Sequence, residues 1–261
     1  MNSPLNLNNK TIFVNEPVPE KGITCSNRQR ILRLSQYLEQ TRTIESSWGP
    51  FVIMGRYQNK EIFLALAPVG AGSGLAFTEL YHQGATAIIR YGSDDVPSPS
   101  PEEAQLFKII DEADNLYGYS KAIGVSASNC GGSIPASSQL VEALKTQAKA
   151  HHLNYETRIC HHLESYHALR NPDAFPEPYR SRIKADYEAV KRDNKKESMD
   201  METAVLLETA RLFNRNAASV LQTVDKEKAS DPYHQKENLQ EIYHLEKAFF
   251  QVIIDALFSL K

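Results

Sequence analysis

The segment from residue 61 to residue 93 restricts the fold of this chain more than any other part of it. An apolar run at 61–67 is typical of a buried strand, a glycine-rich turn follows, and residues 75–83 have the apolar spacing of a helix. A second apolar run, at 86–91, stops at a Gly-Ser pair. Strand, turn, helix and strand in this order form a βαβ unit, a parallel pair with a right-handed crossover. The chain is therefore expected to be an α/β protein.

The turn of this unit contains Gly70, Gly72 and Gly74. Backbone N–H groups exposed in such a turn can hold a phosphate. The turn lacks the Walker lysine and the full spacing of a dinucleotide-binding turn, and glycines serve ordinary tight turns equally well. The turn alone therefore leaves a phosphate site and a structural role both open.

The other periodic segments extend this unit into one domain. Residues 1–20 contain three prolines and little periodicity, and we interpret them as an N-terminal arm before a domain from 21 to 261. Further strands are predicted at 22–25, 51–57, 106–110, 122–127, 157–160 and 217–224, and further helices at 28–40, 138–151, 181–197 and 239–260.

Composition and charge exclude several classes of function. A net charge of -3 provides no field that would attract nucleic acid or an acidic membrane. No apolar run reaches the ~18 residues of a membrane span. Cys25, Cys130 and Cys160 form no CxxC pair, and the polar N-terminus does not resemble a signal peptide, so a cytoplasmic protein is expected. His161 and His162 lack a carboxylate frame at metal-ligand spacing, so no metal site is predicted.

Three acidic residues lie at the ends of predicted elements. Asp200 and Glu202 open a predicted helix with Met201 between them, and Asp225 follows the predicted strand at 217–224. The carboxyl ends of strands border the ligand crevice of such proteins. Acidic residues in a first helical turn are also common simply because they complement the helix dipole. From chemistry alone, both interpretations remain open.

The order of these motifs resembles the nucleoside phosphorylase family, which includes purine nucleoside phosphorylases, uridine phosphorylases and related nucleosidases. The similarity extends over about residues 21 to 258 in one register. It implies a single α/β domain in which a mixed, partly closed β-sheet is flanked by helices.

The similarity is strong at 67–93, where the family has a glycine-rich turn, a helix and a strand that ends in Arg-x-Gly-Ser/Thr. It implies that Arg90 and Ser93 bind phosphate, with the turn of Gly70 and Gly72 nearby. The chemistry is suitable, because a guanidinium group matches two phosphate oxygens and a hydroxyl adds a third bond.

Asp200-Met201-Glu202 is similar to the family's Glu-Met-Glu ribose motif, with aspartate in place of the first glutamate. The match implies that Glu202 accepts hydrogen bonds from the ribose hydroxyls and that Met201 packs on the sugar. Asp225 lies 23 residues after Glu202, as an aspartate does in the purine-handling members. The resemblance therefore implies that Asp225 protonates the leaving base.

Arg30 and Arg42 match arginines of the family less closely. Arg28 and Arg30 lie in the first turn of a predicted helix, where cations oppose the dipole unless an anion shares the site. Arg30 falls on the family's phosphate arginine, although Ser26, Asn27 and Arg28 replace Gly-Asp-Pro. Arg42 is a candidate for the arginine that members donate across a subunit interface. The resemblance thus implies a homo-oligomer, either a dimer or a hexamer.

The activity implied is phosphorolysis of the N-glycosidic bond of a nucleoside, with a purine favoured by Asp225. The products are a free base and ribose 1-phosphate; the partners are the nucleoside and inorganic phosphate, the co-substrate, and no cofactor is expected. Two alternatives remain open. One is a nucleosidase that uses water, and the other is a non-catalytic nucleoside-binding protein, which the altered segment at 26–30 favours.

Overall fold

A single ten-stranded β-sheet with helices on both faces forms the described part of the molecule. The computed structural model describes residues 13–46, 49–95, 101–114, 118–126, 132–185, 197–223 and 236–260. The strands are β1 (Lys21–Cys25), β2 (Glu39–Glu45), β3 (Phe51–Tyr57), β4 (Lys60–Leu66), β5 (Ala87–Asp94), β6 (Phe107–Asp114), β7 (Ser133–Pro135), β8 (Tyr155–His162), β9 (Glu197–Asp200) and β10 (Asn216–Thr223). The main helices are α1 (Arg28–Ser35), α2 (Ser73–His82), α3 (Pro101–Ala104), α4 (Gly118–Ala122), α5 (Ser138–Ala150), α6 (Tyr166–Arg170), α7 (Thr203–Phe213) and α8 (Lys236–Ser259).

The sheet is mixed, in agreement with the family resemblance. Its order is β2-β3-β4-β1-β5-β10-β6-β8-β9, and β7 pairs with β6. Strands β4, β1, β5 and β10 are parallel neighbours, whereas β3 is antiparallel to β2 and β4, and β6 is antiparallel to β10. In the predicted βαβ unit, β4 and β5 are parallel but do not pair with each other, because β1 lies between them.

The sheet closes partly on itself at the carboxyl end of β5. Strand β9 is the last in the strand order, yet the N–H of Asp95 donates to the carbonyl of Met199 over 2.7 Å. The N–H of Met199 donates to the carboxylate of Asp94 over 2.9 Å. These bonds bring the end of β9 beside the end of β5, where the cavity described below lies.

Two apolar clusters cover the two faces of the sheet. On β5, Ile89 points into the cluster that contains α1, α5 and α8, and its neighbour Ile88 points into the cluster that contains α2 and α7. This alternation follows from the two-residue period of a strand that is buried on both faces. On α8, Phe249 and Ile253 are completely buried against the first face.

The predicted helix at 28–40 is wrong in its second half. Helix α1 ends at Ser35 and strand β2 begins at Glu39. Leu38 is buried in the same cluster as Leu34. The four-residue spacing between these two leucines is therefore the same as in a helix, although the helix ends before Leu38. Strand β2 carries mostly exposed polar side chains, and no apolar alternation marked it.

The predicted strand at 122–127 is also wrong. Helix α4 ends at Ala122, and the N–H groups of Ile123 and Val125 bond back to carbonyls in that helix. Residue 127 lies outside the described residues, as do residues 186–196 of the helix predicted at 181–197.

The described part of the N-terminal arm, residues 13–20, packs on α2. The N–H groups of Phe13 and Val14 both donate to the carboxylate of Glu79, over 2.7 and 2.8 Å. The side chains of Phe13, Val14 and Val18 are buried in the second apolar cluster. This segment therefore forms part of the core of the same chain.

Candidate functional site

A cavity of about 200 Å³ lies where the chain leaves the carboxyl ends of β1, β4, β5 and β9. Strand ends of this kind form the ligand crevice in open α/β sheets. Five residues selected from the sequence line it together: Arg30, Arg90, Ser93, Met201 and Glu202. The structure thus brings these five residues to one cavity, although they come from distant parts of the chain.

Arg90 is the central cation of this cavity. Its side chain is 4% exposed, its Nε donates to Asp200 Oδ2 over 2.8 Å, and its terminal nitrogen donates to Glu202 Oε2. Burial opposes the charge of Arg90, but the carboxylates of Glu202 and Asp200 more than compensate and raise its pKa. Arg90 is therefore charged and fixed between the two acids.

Asp200 lies behind Arg90 and not on the cavity wall. Its carboxylate accepts the N–H of Thr203 over 3.0 Å and the hydroxyl of Thr203 over 2.6 Å, at the start of α7. Burial alone would raise its pKa, but Arg90 and Thr203 hold the pKa below its usual value. Asp200 thus combines the role of a helix-capping acid with that of an anchor for Arg90.

Glu202 faces the cavity with a carboxylate that the protein holds at both oxygens. The N–H of Gly70 donates to Oε1 over 2.8 Å, and Arg90 donates to Oε2. Burial raises the pKa of Glu202, and Arg90 opposes that effect. The glycine-rich turn therefore orients Glu202 through Gly70, which has a φ of +67° and lies next to Met201. Gly72 is exposed and is not part of the cavity wall.

Arg30 is a second buried cation that lines the cavity. Its Nε donates to Glu246 Oε1 over 3.0 Å, and its guanidinium lies 4.5 Å from the ring centroid of Tyr91. One of its terminal nitrogens is 3.5 Å from Ser93 Oγ. Asn27, in the segment that departs from the family pattern, caps α1 by accepting the N–H of Arg30 over 3.0 Å.

Glu246 in helix α8 is a site-supporting residue that the sequence motifs missed. It is 2% exposed and binds Arg33 as well as Arg30, with both bonds from Arg33 at 2.7 Å. A signal was present, because Glu246 shares one face of α8 with the buried Phe249 and Ile253. A carboxylate in that position requires a buried cation as a partner.

Gly92 has no side chain, and the guanidinium of Arg90 occupies the space where one would lie. A Cβ at this position would lie 2.6 Å from the terminal nitrogen of Arg90 and 2.7 Å from Leu221. The Arg-x-Gly-Ser pattern is therefore explained sterically: glycine admits the guanidinium, and Ser93 follows on the cavity wall.

Cys25, Asp95 and Tyr166 also line the cavity, and the motifs selected none of them as a site residue. Asp95 is 8% exposed. Its position at the end of β5 adds a carboxylate to a wall that already contains Glu202.

Four selected residues among those described do not line this cavity: Gly70, Gly72, Asp200 and Arg42. Arg42 lies on β2 with a side chain 55% exposed, and it pairs with Glu16 over 2.7 Å. Asp225 lies outside the described residues. Strand β10 ends at Thr223, which pairs in register with Asp94 at the end of β5.

The family model of the phosphorylase superfamily matches residues 20–259 of this chain. No curated protein matches the chain in sequence.

Solved structures show the same fold. A uridine phosphorylase from Vibrio fischeri ES114 superimposes with a TM-score of 0.74 and 19% identity, covering 96% of this chain and 98% of the other. A purine nucleoside phosphorylase from Toxoplasma gondii, in complex with immucillin-H, gives a TM-score of 0.71 and 16% identity, covering 93% and 92%. Among the described residues, no helix is long and apolar enough to cross a membrane.

Proposed function

This chain belongs to the phosphorylase superfamily, and on that basis we propose that it is an enzyme that cleaves the N-glycosidic bond of a nucleoside with phosphate. The products are a free base and ribose 1-phosphate. A purine is the favoured base, and inorganic phosphate is the co-substrate, with no further cofactor.

One observation carries the proposal: two buried arginines and a serine share a 200 Å³ cavity with a methionine and a carboxylate. Arg30, Arg90 and Ser93 suit a phosphate, because guanidinium groups and a hydroxyl donate to its oxygens. Met201 and Glu202 suit a sugar, because one offers apolar contact and the other accepts hydrogen bonds from hydroxyls. Both parts are required for phosphate to attack the anomeric carbon.

At the phosphate end, the arginines are preorganised by acids that do not touch the cavity. Asp200 holds Arg90, and Glu246 holds Arg30. A donor that is already oriented loses little entropy when the anion arrives, which favours both binding and reaction. We assign Asp200 a positioning role rather than direct contact with the sugar.

At the sugar end, Glu202 accepts hydrogen bonds from the 2′ and 3′ hydroxyls of the ribose. Its two oxygens are oriented by Gly70 and Arg90, so each retains lone pairs in a fixed direction. Met201 packs on the sugar while positive charge develops at the anomeric carbon, in a transition state of oxocarbenium character. The carboxylate of Glu202 also stabilises that charge.

At the base end, Asp225 donates a proton or a strong hydrogen bond to a ring nitrogen as the base leaves. This role rests on its spacing from Glu202 and on the family resemblance, because Asp225 lies outside the described residues. A carboxyl group acts as an acid near neutral pH only with a raised pKa, which partial burial supplies.

We also propose that the chain works as a homo-oligomer in which Arg42 reaches the site of a neighbouring subunit. Its half-exposed side chain on the edge strand β2 supports this role. We assign the domain of this enzyme to residues 21–261 and an N-terminal arm to residues 1–20, of which Phe13, Val14 and Val18 pack into the core of the domain.

Hydrolysis is the second candidate, and one observation favours it. Arg90 and Arg30 are both paired with carboxylates, which reduces the positive potential available to a phosphate dianion. A nucleosidase would use the same sugar and base groups with water as the nucleophile.

Release of base from a panel of purine and pyrimidine nucleosides, with and without phosphate, tests the proposal. Phosphorolysis requires phosphate and yields ribose 1-phosphate in equal amount to the base. Release of base at the same rate without phosphate would establish hydrolysis. Tight nucleoside binding with no release of any base would favour a binding protein.

A further inference from the structure

The two halves of the candidate site lie at the ends of strands that are not neighbours in the sheet order. Strand β5 carries Arg90 and Ser93, whereas Met201 and Glu202 follow the end of β9. Three strands, β10, β6 and β8, separate β5 from β9 in the strand order. The distance between the proposed phosphate groups and the proposed sugar groups therefore depends on what joins the ends of β5 and β9 directly.

The side chain of Asp94 joins these two strand ends. Its Oδ1 accepts the N–H of Met199 over 2.9 Å, and its Oδ2 accepts a hydrogen bond from the hydroxyl of Ser198 over 3.0 Å. Both donors belong to β9, and Asp94 itself directly follows Ser93 on β5. Asp94 thus connects the phosphate half of the cavity to the segment that leads into Met201.

Lys108 on β6 compensates the charge of Asp94. Its Nζ donates to Asp94 Oδ2 over 2.7 Å and to the hydroxyl of Thr223 at the end of β10, and Glu103 lies 3.6 Å from the same amino group. The side chains of Lys108 and Asp94 are both completely buried. A carboxylate remains ionised in such a place where a cation pairs with it, so Lys108 keeps Asp94 able to accept all of these bonds.

Arg90 also links β5 to the residues after β9, through its bonds to Asp200 and Glu202. Those bonds lie at the cavity and use the guanidinium that is assigned to phosphate. Asp94 and Lys108 do not line the cavity, so a ligand there competes for none of their bonds. The link through Asp94 is therefore separate from the groups that bind substrate.

We propose that Asp94, kept ionised by Lys108, is a positioning residue that aligns the bound phosphate with the anomeric carbon. It acts through Ser93 on one side and through the segment from Met199 to Met201 on the other. The inference rests on the proposed function, because it concerns the alignment of two bound substrates. Reacting atoms must lie about 3–3.5 Å apart, and a displacement of about 1 Å costs roughly 100-fold in rate. Loss of this link should lower kcat more than it weakens the binding of either substrate.

Two double variants separate the hydrogen bonds of Asp94 from its charge. Asp94→Asn/Lys108→Met removes both charges and keeps an amide oxygen that can accept the N–H of Met199, whereas Asp94→Ala/Lys108→Met removes both charges and the acceptor. We expect the asparagine double variant to keep kcat within about threefold of the wild type, and the alanine double variant to lose roughly 10- to 100-fold. Calorimetric dissociation constants for phosphate and for the nucleoside should change by less than about threefold in both.

Glu79→Ala is the matched control for a loss of structure alone. Glu79 is 3% exposed and does not line the cavity, and its carboxylate accepts the N–H groups of Phe13 and Val14 over 2.7 and 2.8 Å. Like Asp94, it therefore holds two segments together through backbone donors. Glu79→Ala should lower the midpoint of urea unfolding and leave kcat unchanged.

Ser198→Ala provides the test if the alanine double variant does not fold. It removes one bond between β9 and Asp94 and leaves the pair of Asp94 and Lys108 intact. Its kcat should fall by about two- to fivefold, with unchanged dissociation constants. An unchanged kcat in Ser198→Ala would then overturn the inference.

Equal kcat values in the two double variants would overturn the inference, and so would an unchanged kcat combined with weaker binding. Hydrogen exchange at the amides of Asp95 and Met199 is a readout that does not need turnover, and both amides should exchange faster in the alanine double variant than in the asparagine one. If the wild type releases no base from any nucleoside, the proposed function fails. Faster exchange would then still support Asp94 as the link between β5 and β9, and equal exchange would exclude it.

Discussion

The guanidinium of Arg30 donates to the carboxylate of Glu246 over 3.0 Å and so joins the first helix of the chain to the last. Arg33 donates to the same carboxylate twice. Both Arg30 and Glu246 are almost completely buried, so neither could remain charged there alone. The pair fixes Arg30 at the cavity, but the negative charge of Glu246 weakens the attraction of Arg30 for an anion.

Two substitutions of Glu246 separate orientation from charge. Glu246→Gln keeps an acceptor for Arg30 and removes one negative charge. The repulsion between that charge and a bound phosphate is worth ~1 kcal/mol at an effective dielectric of ~40 over ~8 Å. The KM for phosphate should therefore fall roughly fivefold. Glu246→Ala also removes the acceptor, and its KM should rise as Arg30 loses its orientation. Initial rates against phosphate at saturating nucleoside measure both. Equal KM values in the two variants would show that Glu246 does not orient Arg30.

Arg90→Met should destabilise the protein strongly. The substitution leaves Asp200 and Glu202 buried without their cation, and breaking a buried pair of this kind costs about 3–5 kcal/mol. Urea unfolding at pH 7 measures the loss. Arg56→Met is the matched control, because Arg56 pairs with Glu61 at 3.5 Å on the surface, and its loss should be about 1 kcal/mol or less.

The stability difference between the wild type and Arg90→Met should depend on pH. Burial raises the pKa of Asp200, but Arg90 and Thr203 together outweigh burial and hold this pKa below its usual 3.8 in the native protein. Its stabilising contribution is therefore present above pH 3.8 and is lost as the pH falls through the native pKa. The two unfolding free energies should converge in that acidic range. A constant difference from pH 7 to the acidic range would contradict the assignment.

The sequence motifs selected residues that line the cavity, but they did not identify which residues hold those side chains in place. Arg90 and Glu202 belong to short motifs whose residue types suggest their chemistry. Asp200 was recognised in the same motif, but a local pattern does not reveal that its carboxylate turns back to cap α7 and hold Arg90. Glu246 lies 216 residues from Arg30, and such a pairing depends on how α8 packs across the sheet.

The errors in the predicted elements have a similar origin. Leu34 and Leu38 are buried in one cluster, but the chain ends its helix at Ser35 between them. Burial of an apolar side chain does not specify the backbone that carries it, so periodicity extended the helix too far. Strand β2 is defined by antiparallel pairing with β3 and not by apolar alternation, and a single sequence does not contain that information.

His162 should make the protein less stable below pH 6.5. Its side chain is 2% exposed, and neither ring nitrogen has a hydrogen-bond partner within the described part of the chain. Burial lowers its pKa below 6.5, although Asp200 and Glu164 act in the opposite direction. The unfolded chain therefore takes up a proton in a pH range where the native protein does not, and stability falls as the pH falls, by at most ~1.4 kcal/mol per pH unit.

The His162→Phe variant isolates this effect from that of His161, whose pKa is raised chiefly by its bond to Asp114. The unfolding free energy of the wild type, relative to His162→Phe, should decline as the pH is lowered from 6.5 to 5 and stay constant above about 7. A difference that is flat over the whole range would show that His162 titrates alike in the two states.

Asp225→Asn should reduce turnover far more than it weakens nucleoside binding. If Asp225 protonates the departing base, the amide cannot replace it, and loss of a general acid costs about 10²- to 10⁴-fold in rate. The ground-state hydrogen bond contributes much less, so the dissociation constant of the nucleoside should change by less than about tenfold. Single-turnover rates and calorimetric dissociation constants measure the two quantities separately.

A substrate whose leaving group needs no proton distinguishes acid catalysis from a loss of structure at position 225. A nitrophenyl riboside departs as a stable anion, so Asp225→Asn should cleave it at nearly the wild-type rate in the presence of phosphate. If Glu202 holds the ribose, Glu202→Gln should slow this substrate and ordinary nucleosides alike, because both react through the same sugar. Equal losses for the two substrates in Asp225→Asn would exclude Asp225 as the proton donor and would assign it to binding or to the fold.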